Sequence, residues 1–113
     1  MHEVGIMQTA LEMAAEAARR AGATHVRRLK LRVGEISGVV VEALELAFAA
    51  AVPGTPAERA ELIVERVPVE CECDQCGSEF HPSDVIYLCP YCGAISSRVR
   101  QGRELELASL EVD

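Results

Sequence analysis

The sequence is poor in lysine, in aromatic residues and in positive charge. Lysine occurs once, at Lys30, tryptophan is absent, and the only aromatic residues are two tyrosines and two phenylalanines. The formal net charge is -7, which argues against nucleic-acid binding, because such binding relies on Lys and Arg to neutralise the phosphate backbone. The scarcity of aromatic rings predicts a core built from Ala, Val, Leu, Ile and Met.

Membrane and export segments are also missing from the sequence. No uncharged apolar run approaches the roughly 20 residues that a bilayer span needs. The chain does not open with a cationic segment, an apolar stretch and a small-residue cleavage site. We therefore expect a soluble, cytoplasmic protein with no membrane partner. In that compartment, the five cysteines are expected to be metal ligands or catalytic groups rather than disulfides.

Hydrophobic periodicity predicts the order helix, strand, helix, strand. Residues 4–21 repeat apolar side chains at helical spacing, and residues 25–34 alternate as in a half-buried strand. Ser37 is the expected N-cap of a second helix over residues 39–52. The β-branched residues 61–68 predict a second strand that ends near Pro68.

The strand at residues 25–34 carries clustered positive charge, namely Arg28, Lys30 and Arg32 on one side. A solvated sheet face explains this cluster better than a nucleic-acid stripe does.

The last segment, residues 103–112, also alternates, but its apolar phase changes between Leu107 and Leu110. A β-bulge near Ala108 and Ser109 would produce this change, because one extra residue resets which side chains face the core. A lone strand cannot stand unpaired, so we expect this one to join the sheet formed by the two earlier strands. The predicted fold is α+β, with two helices packed on a small three-stranded sheet.

Two C-x-x-C pairs lie between the last two of these strands. They are separated by twelve residues, and each is followed by a glycine that permits a tight turn: Cys73, Cys76, Cys89 and Cys92. Four converging thiolates suit Zn(II) in a closed, structural site, and we favour this over coincidental pairs or two disulfides. The sequence therefore predicts an inserted four-cysteine, zinc-ribbon-like module over residues 69–102 that unfolds without its metal. The remaining domain is residues 1–68 plus 103–113.

Two other roles for this module are less favoured. A nucleic-acid-binding zinc ribbon would need basic surface, but residues 71–93 contain four acidic residues and no Lys or Arg. A rubredoxin-like iron site for electron transfer stays an alternative, since Cys-Pro-x-Cys-Gly also occurs in rubredoxins. The colour of the purified protein separates iron from zinc.

Three further metal-capable residues have no assigned partner in the sequence. Cys71 is expected to be a spare thiol at the edge of the module, although it could compete as a ligand. His25 and His81 are expected to be polar loop residues, with a functional role more plausible for His81 because it belongs to the metal module.

The N-terminal residues form a distinct metal-binding pattern. The amine of Met1, the amide nitrogen of His2 and the imidazole Nδ1 of His2 can close adjacent five- and six-membered chelate rings on one metal. Deprotonated nitrogens in one plane suit Ni(II) or Cu(II). Glu3 could supply an oxygen ligand, a hydrogen-bond acceptor or neither, and the fourth planar position is open to His81, water or a partner protein. The chain has no phosphate loop and no catalytic triad, so we do not expect an enzyme.

Several segments of the sequence resemble the corresponding segments of one protein family. They are "MHE" at the start, "ALEMA" in the first helix, "LKLRVGEISGV" leading to "LELAFAAAVPGT", the pairs "CDQCG" and "LCPYCG", and the closing "RELELASLEV". The chain is similar along nearly its whole length to the HypA/HybF family of hydrogenase nickel-incorporation proteins.

The resemblance implies a nickel metallochaperone with Ni(II) as transient cargo. It places nickel at His2, with Met1 and Glu3 adjacent, and structural zinc at the four paired cysteines. It implies as partners a nickel-associated GTPase and the large-subunit precursor of [NiFe]-hydrogenase, and for some members urease accessory proteins. The alternative function is a zinc-stabilised protein-interaction module without a nickel role.

Overall fold

The computed structural model describes residues 2–84, 86–95 and 97–113. The chain forms two compact units. The first unit runs to Arg32 and also takes in Gly38–Glu65 and Glu106–Asp113, whereas the second comprises Val33–Ser37 and Arg66–Leu105. The sequence-based domain boundaries, 68/69 and 102/103, fall a few residues inside the second unit. Assigning nickel to one domain and zinc to the other stays a prediction.

The described residues form two helices and six strands. In chain order they are α1 (His2–Arg20), β1 (Val26–Gly34), α2 (Val41–Ala51), β2 (Glu61–Val67), β3 (Glu70–Cys73), β4 (Glu79–Phe80), β5 (Ser97–Gln101) and β6 (Leu105–Val112). The strands form two three-stranded sheets, in the orders β2-β1-β6 and β4-β3-β5. The predicted α+β class is confirmed, as is the return of the last strand to the sheet of the first two.

The helices α1 and α2 pack against each other in the first unit. Their buried faces carry Met7, Ala14 and Leu44, each with no exposed side-chain surface, and β1 adds the equally buried Leu29. The core is therefore aliphatic, as the shortage of aromatic residues predicted. Neither helix is long and apolar enough to span a membrane in the part of the chain that the structure describes.

The start of α2 differs from the prediction. Its N-cap is Val40, which offers no side-chain hydrogen bond, so the assignment of the N-cap to Ser37 was wrong. The amide of Ser37 instead donates to the carbonyl of Gly34 at 3.0 Å, and Gly38 adopts a φ of 84°. This turn, and the extended conformation of Val40, delay the helix to Val41.

The change of phase in β6 agrees with the prediction. Its half-buried positions are Leu107, Leu110 and Val112. The first two of these are three residues apart, whereas the last two are two residues apart, as in a regular strand. The inward side of the strand therefore shifts between Leu107 and Leu110. A bulge at Ala108 and Ser109 would produce this shift and stays a prediction.

The basic side of β1 is neutralised by glutamates of its two neighbouring strands. Arg28 contacts Glu61 at 3.0 Å and Glu111 at 2.6 Å. The next two basic residues make the equivalent pairs, Lys30 with Glu65 at 3.1 Å and Arg32 with Glu106 at 2.9 Å. Cross-strand ion pairs therefore explain this basic cluster, as expected for a solvated sheet face.

A close backbone crossing fixes part of the second unit. The amide of Gly34 donates to the carbonyl of Glu104 at 2.7 Å. A side chain at position 34 would meet the backbone of Gly102 and approach the amide nitrogen of Glu104 to 2.6 Å. Only glycine fits at this crossing.

The core of the second unit surrounds its cysteines. Val69, Cys71, Cys73, Phe80 and Cys89 are all buried and form one cluster. Cys71 is fully buried and pairs with Phe80 across β3 and β4. Cys71 is a free thiol, as expected, but its expected position at the edge of the module was wrong, because it belongs to the apolar core of β3.

Candidate metal centres

Each C-x-x-C pair folds into the same tight turn. The amide of Gly77 donates to the carbonyl of Cys73 at 2.9 Å, and the amide of Gly93 donates to the carbonyl of Cys89 at 3.0 Å. Both glycines have positive φ, 75° and 79°, which L side chains rarely adopt. The two turns are thus backbone copies of each other, as the sequence spacing predicted.

Backbone amides inside these turns point at the sulfurs. The amide of Gln75 donates to Sγ of Cys73, and the amide of Tyr91 donates to Sγ of Cys89, both at 3.4 Å. Such bonds stabilise thiolates and orient them towards a metal.

The four predicted ligands converge. Their Sγ atoms all lie within 4.8 Å of one another. The Cys73 and Cys92 sulfurs are 3.6 Å apart, and those of Cys76 and Cys89 are 3.7 Å apart. A tetrahedral zinc with Zn–S bonds of about 2.3 Å separates its sulfurs by roughly 3.8 Å. The geometry therefore fits a four-coordinate ion of this size.

The electrostatics of the cluster also favour a cation. Hydrogen bonds from the hydroxyl and amide of Ser78 lower the pKa of Cys76 to about 6. The amide of Ala94 lowers the pKa of Cys92, but Cys73, burial and the other two sulfurs outweigh it and raise that pKa to about 12. The raised pKa keeps the Cys92 thiol protonated at neutral pH when no metal is bound, whereas a bound divalent cation deprotonates its thiols outright.

These four cysteines suit zinc as a structural ion. All four positions of a tetrahedral ion would be filled by sulfur, which leaves no site for a substrate or an activated water. When bound, zinc would supply folding free energy to the second unit. Cys71 is not one of the four converging residues.

Of the three residues predicted at the nickel site, the structure describes His2 and Glu3, whereas Met1 lies outside the described residues. His2 and Glu3 occupy the first turn of α1, which begins two residues earlier than predicted. His2 is exposed, whereas Glu3 is 3% exposed. Oε2 of Glu3 accepts a hydrogen bond from the amide of Val40 at 3.1 Å and lies 3.5 Å from Nε2 of His2.

The buried carboxylate of Glu3 thus joins the starts of the two helices. The bond from the Val40 amide is the leading cause that lowers the pKa of Glu3, which keeps the carboxylate ionised. Glu3 also places a negative charge beside Val40, the N-cap residue of α2, at the end of the helix where the peptide dipoles favour such a charge. No local pattern in the sequence signals this role, because the two residues are far apart along the chain and valine is not a capping residue.

The first turn of a helix has an advantage for metal binding. Its first four amide groups have no partner within the helix, so the amide nitrogen of His2 can bind a metal without breaking a helical hydrogen bond. Contact of Glu3 with Nε2 leaves Nδ1 of His2 for the chelate ring. A carboxylate against the outer nitrogen of a ligating histidine is common at metal sites.

The other two histidines have partners within their own units. Nδ1 of His25 lies 3.1 Å from Oδ2 of Asp113. Nδ1 of His81 lies 3.0 Å from the carbonyl oxygen of Val69, and its Nε2 lies 3.8 Å from Oε2 of Glu70. The suggestion that His81 completes the nickel site stays a prediction.

The fold and the cysteine cluster define a class, a small α+β metal-binding protein with a four-cysteine module. A family model described as "Hydrogenase/urease nickel incorporation, metallochaperone, hypA" matches residues 1–112, and the chain belongs to this HypA family.

Relatives named "Hydrogenase maturation factor HypA" match over almost the full length of both chains. The protein from Picosynechococcus sp. is 51% identical over 112 residues, with 99% of each chain covered. That from Chloroflexus aggregans is 42% identical, with 98% of each covered. The solution structure of the Ni metallochaperone HypA from Helicobacter pylori matches with a TM-score of 0.68 at 27% identity, over 99% of this chain and 97% of that one.

Proposed function

We propose that this protein is a nickel metallochaperone that binds one Ni(II) at its N-terminus and carries it to an enzyme under assembly. The amine of Met1, the amide nitrogen of His2 and Nδ1 of His2 would supply three nitrogens. Membership of the HypA family supports the assignment, because its description names nickel incorporation for hydrogenase and urease.

The observation that carries this proposal is the position of His2 at the first residue of α1. The imidazole is exposed and lies against a buried carboxylate that is itself fixed to the start of α2. We assign to Glu3 the role of orienting His2 rather than direct ligation, because its carboxylate already accepts the Val40 amide.

The four cysteines would hold zinc as a resident ion that folds the second unit. The proposed partners are a nickel-associated GTPase and the large-subunit precursor of [NiFe]-hydrogenase, with urease accessory proteins as a second set. The protein would act in the cytoplasm and catalyse no reaction of its own.

Isothermal titration of zinc-loaded, untagged protein with Ni(II) tests the proposal. We expect one site per chain in the native protein and none of comparable affinity in His2→Ala. His25→Ala is the matched control, since it removes another exposed imidazole of the first unit. Equal nickel binding by His2→Ala and the native protein would contradict the proposal.

A further inference from the structure

The second unit contains a cavity of ≈ 340 Å³ that no metal ligand lines. Its apolar walls are the side chains of Ile36, Val69, Pro82 and Tyr87. Ile36 and Tyr87 also pack against the buried core of the unit. Packing against this core therefore holds two of the apolar side chains that line the cavity in place.

Two acidic groups and the hydroxyl residue Ser83 complete this lining. Glu35 and Asp84 both border the cavity, and no Lys, Arg or His is among the described residues that line it. Oε1 of Glu35 accepts a hydrogen bond from the amide of Val69 at 3.1 Å, which fixes the carboxylate at the wall. A carboxylate has more acceptor sites than this one bond uses.

The backbone of this wall is itself held in place. The Val69 amide bonds to Glu35, and its carbonyl accepts from Nδ1 of His81 at 3.0 Å. A side chain that enters the cavity would thus meet a preformed site rather than one that must be ordered on binding.

We propose that this cavity receives an arginine side chain from a partner protein. A guanidinium has a flat, weakly hydrated head that stacks on an aromatic ring and donates to carboxylates, and its aliphatic stem suits apolar walls. Tyr87 offers the ring, and Glu35 and Asp84 the acceptors. Net negative charge on the whole chain favours a basic partner.

Exposed apolar side chains on both sides of Tyr87 in the sequence fit the same use. Ile86 and Leu88 flank Tyr87 along the chain and are 59% and 52% exposed. Interfaces commonly place an arginine or an aromatic anchor in a pocket and surround it with contacts that exclude water. The proposal does not depend on nickel binding, because all of these residues belong to the second unit.

Titration of the zinc-loaded full chain with short blocked peptides, followed by NMR, tests the proposal. The probe is Gly-Arg-Gly, and the comparison peptides carry citrulline or lysine at the centre. We expect saturable shifts at the amides of Ile36, Val69 and Tyr87. Loss of a charge-assisted hydrogen bond should weaken the citrulline peptide by about tenfold, and lysine should also bind more weakly than arginine.

Two variants separate a specific site from general attraction to an acidic protein. Glu35→Gln keeps an acceptor for the Val69 amide but removes the charge, and should weaken arginine binding several-fold. Glu45→Gln removes the same charge from an exposed position on α2 and should change nothing. Equal binding of the arginine and citrulline peptides, equal binding of arginine and lysine, or equal effects of the two variants would overturn the assignment.

Discussion

Removal of zinc should unfold the second unit and leave the helices of the first unit intact. Of the five buried residues in the core of the second unit, Cys73 and Cys89 are proposed ligands, so Val69, Cys71 and Phe80 remain. Burying three such side chains contributes about 5–9 kcal/mol. A structural zinc contributes on the order of 10 kcal/mol or more. The metal thus contributes more than these three side chains do, and the apolar core cannot replace it.

The assay is amide NMR of the protein before and after a strong chelator. Signals from β3 and β5 should collapse to random-coil positions, whereas those of α1 and α2 should keep their helical dispersion. Cys76→Ala should lose zinc and behave like the chelated protein. Cys71→Ala is the matched control, because Cys71 is not a converging ligand, and it should retain one zinc per chain. Persistent dispersion of β3 and β5 without metal would refute the reasoning.

Two further predictions concern the stability of the folded protein. Gly34→Ala should destabilise the protein by about 3 kcal/mol or more in urea unfolding, because the new methyl group would overlap the backbone of Gly102. Gly5→Ala, which meets nothing within 4 Å in α1, should stabilise the protein by roughly 0.5–1 kcal/mol, and equal effects of the two substitutions would contradict this. The lowered pKa of Glu3 means that its contribution to stability is present above its unfolded value, near 4.5, and is lost as the pH falls through the folded value. Thermal melts of Glu3→Gln should therefore lie below those of the native protein at neutral pH and approach them in acid, whereas a constant difference would rule out this role.

Local patterns predicted most of the elements. The helical period of α1, the alternation of β1 and the two C-x-x-C pairs each depend on spacing within one short segment. These features were recovered with boundaries a few residues in error. The place of the last strand in the first sheet followed from the need to pair it.

Features that depend on distant residues could not be predicted. The N-cap of α2 is Val40 rather than Ser37, and the amide of Val40 donates to the carboxylate of Glu3. Only the packing of α1 against α2 brings Glu3 and Val40 together. The need for glycine at position 34 arises from a crossing with residues 102–104. Cys71 looks like a possible ligand in "CEC", yet strand alternation combined with the core of the second unit buries it.

The central claim is that nickel binds at the free N-terminus. The most direct measurement is the Ni(II) absorption spectrum of the native protein beside a version with two extra residues ahead of Met1. We expect a planar nickel band at one metal per chain in the native protein only, because the extension displaces the terminal amine from His2. The same band at the same affinity in both proteins would contradict the account and would place nickel elsewhere in the molecule.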